Sequence, residues 1–422
     1  MNTHVHSSLP RRALFSNASD ATGHQLYSTA LSVIVVTVLG FSATQVGLLN
    51  ALGTLSFLVL VVPIGALVDR VGAARILILS LALKTGLALV TSIAAMWGHL
   101  NAAAAMVVVT AMGIAVVASE NAQVAITPML VGSKDRIADL VARMTAADRV
   151  AGVIAPAVAG ALLALGTETI PLALALVLFV LALVPAASLL TVPRRAGEPV
   201  AGAQETEPRA SQSSREGLLG HGFALMVRDR TLLATTLLVM AGNIGLAIGD
   251  SVESILVLRL LDLGILFYGL LGTIAALSGL AAAAVAPRIV RALPVRTIFG
   301  VGAVVQSAVA ALPLLALLFP GAGYVVMGAF SALWSITLTI TNIAGGAYAA
   351  AAVDPSALGR TAAARRMLTM GAVPIAALGG GLLADIAGMM APLIVWPAVT
   401  VVAALLFLLL GRRARREADG DG

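Results

Sequence analysis

Apolar residues along this chain neither alternate nor form narrow stripes. They run in blocks of about 20, long enough for a helix rising 1.5 Å per residue to cross a ~30 Å hydrocarbon core. The blocks centre near Ile34, Leu58, Leu83, Ile114, Ala157, Leu181, Leu246, Ala275, Val309, Leu333, Ile375 and Ala403. Backbone groups in lipid must be satisfied internally, and the Ala, Leu and Val content of the blocks favours helices. The ten-residue alternation of a membrane barrel is absent. The pattern therefore predicts an all-α polytopic membrane protein of about 12 transmembrane helices.

The breaks between blocks alternate in character. Phe41 to Gln45, Trp97 to Asn101, Gly166 to Thr169, Pro320 to Gly323 and Gly388 to Pro392 are short and carry no Lys or Arg. The intervening breaks are basic: Arg70 and Arg75; Lys134, Arg136, Arg143 and Arg149; Arg194 to Arg230; Arg288, Arg291 and Arg296; Arg360, Arg365 and Arg366. Of 26 Lys and Arg, 24 fall on this side or at the two ends, Lys84 and Arg259 being the remainder. Positive loops stay inside, so both termini are expected to be cytoplasmic, on a protein of the cytoplasmic membrane. Arg11 and Arg12 resemble a twin-arginine export signal, but the stretch after them, Ser16 to Gln25, is polar where a signal needs an apolar run. The pair reads as a cytoplasmic anchor for the first span.

The stretch between Pro193 and Arg230 is rich in Gly, Pro, Ser, Glu and Arg and lacks apolar periodicity, the composition of a linker. It divides the chain into a six-helix bundle at 1–192, a cytoplasmic linker at 193–230, a second bundle at 231–411 and a tail at 412–422. The two bundles echo each other. Val46-Gly-Leu-Leu matches Tyr268-Gly-Leu-Leu at the start of a second span. Asn121 matches Asn342, and Gly160-Ala-Leu-Leu-Ala matches Gly380-Gly-Leu-Leu-Ala. Parallel repeats of this kind place a substrate site between them near the midplane.

Composition narrows the chemistry. Hydrophobic residues make up 59% of 422 and charged residues 11%, against about a quarter charged in a soluble domain. With no cysteine, thiolate metal sites and a Cys nucleophile are excluded, and five His, four before residue 100 and three of those before residue 25, make a His-rich metal cluster unexpected. No cofactor is expected. A pI of 10.4 raises nucleic acid as a partner, but ten Phe, four Tyr and three Trp are too few for base stacking. The basic loops account for the charge, and the partner expected is the lipid bilayer, with the chain a monomer. No nucleophile–base pairing and no phosphate-binding loop point to an enzyme or an ATP-driven pump.

Charges within a span cost about 2.5–3.5 kcal/mol on insertion scales and usually line a cavity. Asn17, Asp20, His24 and Tyr27 step along one face of the first span. Glu120 and Asn121 sit in the fourth, with Thr127 beyond them. Asn243, Asp250, Glu253 and Ser254 sit in the seventh, and Ser331, Trp334, Ser335, Thr341 and Asn342 in the tenth. Each set has a second reading: Asp20 and His24 at the cytoplasmic interface, Asp250 and Glu253 at the outer headgroups beside Arg259, Asn342 bonded only to a neighbouring helix. Lys84 either snorkels or pairs with a carboxylate. Asp385 lies near the outer end of the eleventh span, at the interface.

The loop after the second span reads GALVDRVGAAR, from Gly65 to Arg75. It resembles the signature between helices 2 and 3 of the major facilitator superfamily, G-x-L-x-D-R-x-G-R-R. Gly65, Leu67, Asp69, Arg70 and Gly72 match, Ala73 and Ala74 replace the basic pair, and Arg75 follows. The resemblance implies a gating role for Asp69, which would pair across the halves when the cytoplasmic side closes. The alternative is a turn permitted by Gly65 and Gly72. Gly152-x-x-x-Pro156-x-x-x-Gly160 in the fifth span is similar to the helix 5 motif of antiporters in that family, and equally to generic packing of small residues. The fourth helix lacks the Arg common in drug/proton antiporters, so the pattern is closest to the macrolide- and siderophore-exporter branch. In that family, helices 1, 4, 7 and 10 line the cavity.

The expected function is thus secondary active export of a small organic molecule, a drug or natural product, coupled to protons. The proton would be carried by Glu120 or by Asp250 with Glu253, and Asp20, His24, Tyr27, Lys84, Asn121, Asn243, Trp334 and Asn342 would complete the pathway. The acids and scarce aromatics lean toward a cationic or polar solute. An importer of the same fold, or a receptor or chaperone that lost transport, are the alternatives.

Overall fold

In the computed structural model, residues 3–131, 133–191 and 223–418 are described. Among them the regular structure is helical. The long helices are α1 (Thr3–Thr37), α2 (Ala43–Val71), α3 (Ala73–Met96), α4 (Ala102–Leu130), α5 (Lys134–Ala164) and α6 (Thr169–Ala187). They are followed by α7 (Arg230–Ile255), α8 (Ile265–Ala292), α9 (Val295–Ala310), α10 (Leu312–Leu318), α11 (Gly323–Ala352), α12 (Pro355–Gly371), α13 (Val373–Ala387) and α14 (Met390–Ala418). The expected linker falls largely outside the described residues.

Among the described residues, eleven helical segments are long and apolar enough to cross a membrane. Two of them, Val295–Leu318 and Ala364–Ala387, are interrupted helices. The breaks fall at Ala311 and Ala372, each followed two residues on by proline, Pro313 and Pro374, which removes a donor and crowds the preceding turn. The twelfth expected span is α1. It is 35 residues long, but Asp20, His24 and Gln25 dilute its apolar run. The apolar block near Ile34 is therefore the last third of a longer helix, and the polar stretch from Ser16 to Gln25 lies at its middle.

Helix ends follow local chemistry. Asn101 caps α4 by accepting from the Ala104 N–H at 3.0 Å. Asp229 caps α7 by accepting from Thr231 and Leu232 at 2.8 and 3.0 Å, worth about 1 kcal/mol. Between α2 and α3 the chain turns on Gly72 at φ 103° and ψ 136°, a conformation side chains with a Cβ rarely adopt.

The chain forms two compact units. Unit 1 comprises Met1–Phe41, Leu52–Thr206 and Gly264–Thr273. In it α1 packs on α5 and α6, and α3 on α4 and α6, around a core that includes Leu77, Leu81, Val117, Ile126 and Leu189. Unit 2 comprises Ser42–Ala51, Glu207–Leu263 and Ile274–Gly422. Here α7 packs on α14, α13 and α12, and α9 on α14 and α11. Large apolar side chains such as Val325, Ile375 and Ile386 remain exposed, as expected where the surrounding solvent is hydrocarbon.

The units do not coincide with the sequence repeats. The start of α2 belongs to unit 2 and the start of α8 to unit 1. Glycine permits both exchanges. A Cβ on Gly47 would strike the Ala377 carbonyl, and one on Gly381 the Ala43 carbonyl. In unit 1, a Cβ on Gly269 would strike the Pro156 carbonyl, and one on Gly160 would come within 3.1 Å of Gly269. Gly47 and Gly269 belong to one matched pair of segments, and Gly160 and Gly381 lie in the other, so the internal repeat marks two similar helix crossings.

Candidate functional site

The polar face of α1 is internal to unit 1. Lys84, on α3, is 2% exposed and Asp20 5%. The ammonium reaches both Asp20 oxygens, at 2.8 and 2.9 Å, and the Ser119 hydroxyl of α4 at 2.8 Å. An ammonium has three donors, so Lys84 is fully engaged. It pairs rather than snorkels, and Asp20 is buried against α3 rather than exposed. One turn on, the Nδ1 of His24 is buried without a partner among the described residues. Tyr27 shares a hydrogen bond of 2.8 Å with Thr91. Asn17 donates to the Asp148 carboxylate of α5 at 2.8 Å. Two neighbouring helices, α3 and α5, thus bond to one stripe of α1, and α4 joins through Lys84.

Unit 2 contains a cavity of about 440 Å³. Asn243 and Asp250 of α7, Asn342 of α11 and Arg365 and Arg366 of α12 supply its principal polar groups. Asn243 donates to the Thr369 carbonyl at 2.9 Å, fixing the level at which α7 and α12 meet. Arg365 donates from Nε to Thr236 and from Nη1 to the Gly345 carbonyl, both at 3.2 Å. Glu253 follows Asp250 by three residues on the same face.

Trp334 lies apart from the cavity lining. It is 6% exposed and stacks edge-on against Trp396 with centroids 5.1 Å apart. Phe330 closes the cluster at 6.0 Å from Trp334 and 5.2 Å from Trp396. Trp396 occupies the groove left by Gly245 and Gly249 on α7. Among the described residues both indole N–H groups lack partners.

The other sequence candidates disperse. Glu120 is exposed on α4, and Asn121 donates to the Val61 carbonyl of α2 at 3.3 Å. Asp69, Arg70 and Arg75 are exposed around the α2–α3 turn. Gly72 makes that turn, but Gly65 lies inside α2 with open space around its Cβ position, which corrects its reading as a turn glycine. In α5, Pro156 and Gly160 meet α8, whereas Gly152 faces open space. Asp385 accepts from the Ser42 hydroxyl at 2.8 Å and from the Ala43 and Thr44 N–H groups at 3.1 and 2.9 Å. It serves as the N-terminal cap of α2 rather than merely facing an interface.

Arg365, Arg366, Ser119 and Trp396 were not singled out from sequence. The arginines form part of a basic break, where loop charge alone accounts for them. Ser119 stands beside Glu120, and nothing in a helical stripe announces a partner on another helix.

A family model described as Major Facilitator Superfamily matches residues 13–337. No curated protein matches the chain. Among solved structures, a point mutant of the nucleoside transporter NupG is similar at a TM-score of 0.75 and 14% identity, covering 95% of this chain and 99% of its own. A POT family transporter in complex with a thioalcohol-conjugated peptide follows at 0.70 and 15%, covering 96% of each chain. A bacterial homologue of the human lysosomal transporter Spinster, inward-facing and unoccupied, stands at 0.69 and 14%, covering 98% of each. At such identities the likeness is one of fold.

Proposed function

The chain belongs to the Major Facilitator Superfamily, and from that premise we propose that this multi-pass transporter exports a small organic molecule, a drug or natural product, across the cytoplasmic membrane in exchange for protons. The observation that carries the reading is the pairing of an open cavity lined by Asp250 with a buried Asp20–Lys84 pair in the other unit. Charge inside membrane helices is costly and is characteristic of ion and substrate pathways. The antiporter-like Pro156 and Gly160 of α5, which sit at a helix crossing, favour export over import.

The cycle follows from two properties. First, a carboxylate in an apolar span binds a proton more readily when its surroundings exclude water and releases it when they admit water. Asp250 is the best supported carrier because it lines the cavity, with Glu253 one turn on; Glu120, which is not part of that lining, ranks behind them. Second, alternating access requires contacts that form in one state and break in another. The glycine crossings at Gly47/Gly381 and Gly160/Gly269 are the candidates at one end, and the Asp69 motif at the other. The experiment is a screen of organic solutes in everted vesicles. Accumulation abolished by a protonophore supports export; its absence across the panel, with export seen from non-energised vesicles, supports a uniporter.

Two consequences can be checked separately. Reporter fusions at Thr206 and at the C-terminus are both expected to read cytoplasmic; an external reading at either defeats the orientation. Asp69→Asn is expected to lower turnover by about tenfold, equivalent to ~1.4 kcal/mol in a gating equilibrium, with solute affinity retained. An unchanged rate would leave the loop a turn made by Gly72.

A further inference from the structure

The geometry points to an amphoteric solute: we propose that the unit 2 cavity takes a molecule with an anionic group at Arg366, supported by Arg365, and a protonated amine at Asp250. This rests on the transporter reading of the same cavity and names its substrate class.

The argument begins with helix register. Arg365 meets Thr236, Thr369 meets Asn243, and Gly380 meets Ile248. Residue numbers rise together, so α7 runs parallel to α12 and α13. Asp250 lies seven residues beyond Asn243, about 10 Å along the axis, and Arg366 lies three residues before Thr369, about 5 Å the other way. The cation and the acid therefore stand at opposite ends of the cavity, some 15 Å apart at the backbone, less the reach of the arginine.

At that separation the two ends do not neutralise each other. Among the described residues Arg366 makes no side-chain hydrogen bond or ion pair, and neither does the Asp250 carboxylate. Arg365 is tethered through Nε and Nη1, which orients the guanidinium and leaves Nη2 available. Between the ends, Asn243 gives one amide hydrogen to Thr369, which leaves its second N–H and its Oδ1 for a solute, and Asn342 of α11 also lines the cavity. The rest of the lining is largely apolar, including Leu246, Leu338 and Val373. A guanidinium recognises carboxylate or phosphate through parallel N–H donors. A carboxylate recognises an ammonium. A solute bearing only a cation would leave Arg366 facing it without compensation, so the cationic preference read from the acids alone is replaced by one for both charges.

The test uses probes matched in length. The set is 8-aminooctanoic acid, whose charges lie about 10 Å apart when extended, its N-acetyl derivative, its methyl ester and the doubly blocked form. Binding is measured by thermal stabilisation of the purified full chain. The zwitterion is expected to bind about tenfold more tightly than either singly blocked form. Arg366→Gln should abolish the advantage of the zwitterion over its ester, and Asp250→Asn its advantage over the N-acetyl form. Arg366→Lys should recover part of the loss, which separates charge from folding. Equal binding of all four probes, or an unchanged order in Arg366→Gln, overturns the proposal. Uptake of the bound probe into proteoliposomes is measured separately. Binding in the expected order without uptake retains the subsite and removes the transport reading; uptake with no charge preference does the reverse.

Discussion

Lys84→Met is expected to lower the stability of the purified protein by about 3–5 kcal/mol, the range for breaking a buried ion pair from one side. The variant leaves Asp20, 5% exposed, without its cation, and removes a donor from Ser119. Asp20→Asn alone leaves the ammonium with one hydroxyl and an amide oxygen and should cost a similar amount. The double variant Asp20→Asn/Lys84→Met removes both charges and should recover most of the loss, because the pair's own net contribution is small once desolvation is counted. Thermal or denaturant unfolding in detergent reads all four proteins. Single variants as stable as the parent would mean that water or lipid headgroups reach the pair. A double variant no better than the singles would mean that the site needs charge for folding.

Gly381→Leu and Gly269→Leu are expected to have comparably large effects, on conformation rather than on charge. At each position a Cβ already meets a carbonyl of another helix, Ala43 or Pro156. Since backbone cannot yield as a flexible side chain does, overpacking should cost at least 1–3 kcal/mol, and a shift of that size moves a two-state equilibrium by roughly 5- to 150-fold. The chain has no cysteine, so Ser42→Cys gives a unique thiol beside the Gly381 crossing. Its labelling rate should rise in the Gly381→Leu background and stay unchanged with Gly379→Leu, where nothing lies within 4 Å of the Cβ position. Equal labelling in all backgrounds would show that this crossing does not open.

Much of the fold could be read from the chain because lipid imposes a one-dimensional rule: about 20 apolar residues make a span. The rule is weakest where polar residues interrupt a span. Asp20, His24 and Gln25 dilute the apolar run of α1, so hydropathy alone marks only the block near Ile34 of a longer helix. The stripe itself was legible, since Asn17, Asp20, His24 and Tyr27 share a face by periodicity alone. Their partners were not. Lys84 stands 64 residues from Asp20, and helical periodicity carries no information about which distant helix a face will meet. Likewise the repeated Gly-Leu-Leu segments were visible as repeats, but their role as crossings depends on backbone approach. Arg365 and Arg366 show the opposite difficulty. One explanation, loop charge, was sufficient for them in sequence, and only the cavity assigns them a second.

The central claim, export driven by protons through an intramembrane acid, is tested most directly in proteoliposomes. A solute identified in the vesicle screen is supplied under an imposed pH difference, and its accumulation is followed in the parent and in Asp250→Asn, Glu253→Gln and Glu120→Gln. The account predicts that the parent accumulates solute only while the pH difference lasts. It also predicts that Asp250→Asn loses this accumulation while retaining exchange of internal for external solute at solute concentrations raised to offset its weaker binding. Accumulation by the parent that ignores the pH difference, or by all three variants at the parent's level, would contradict it.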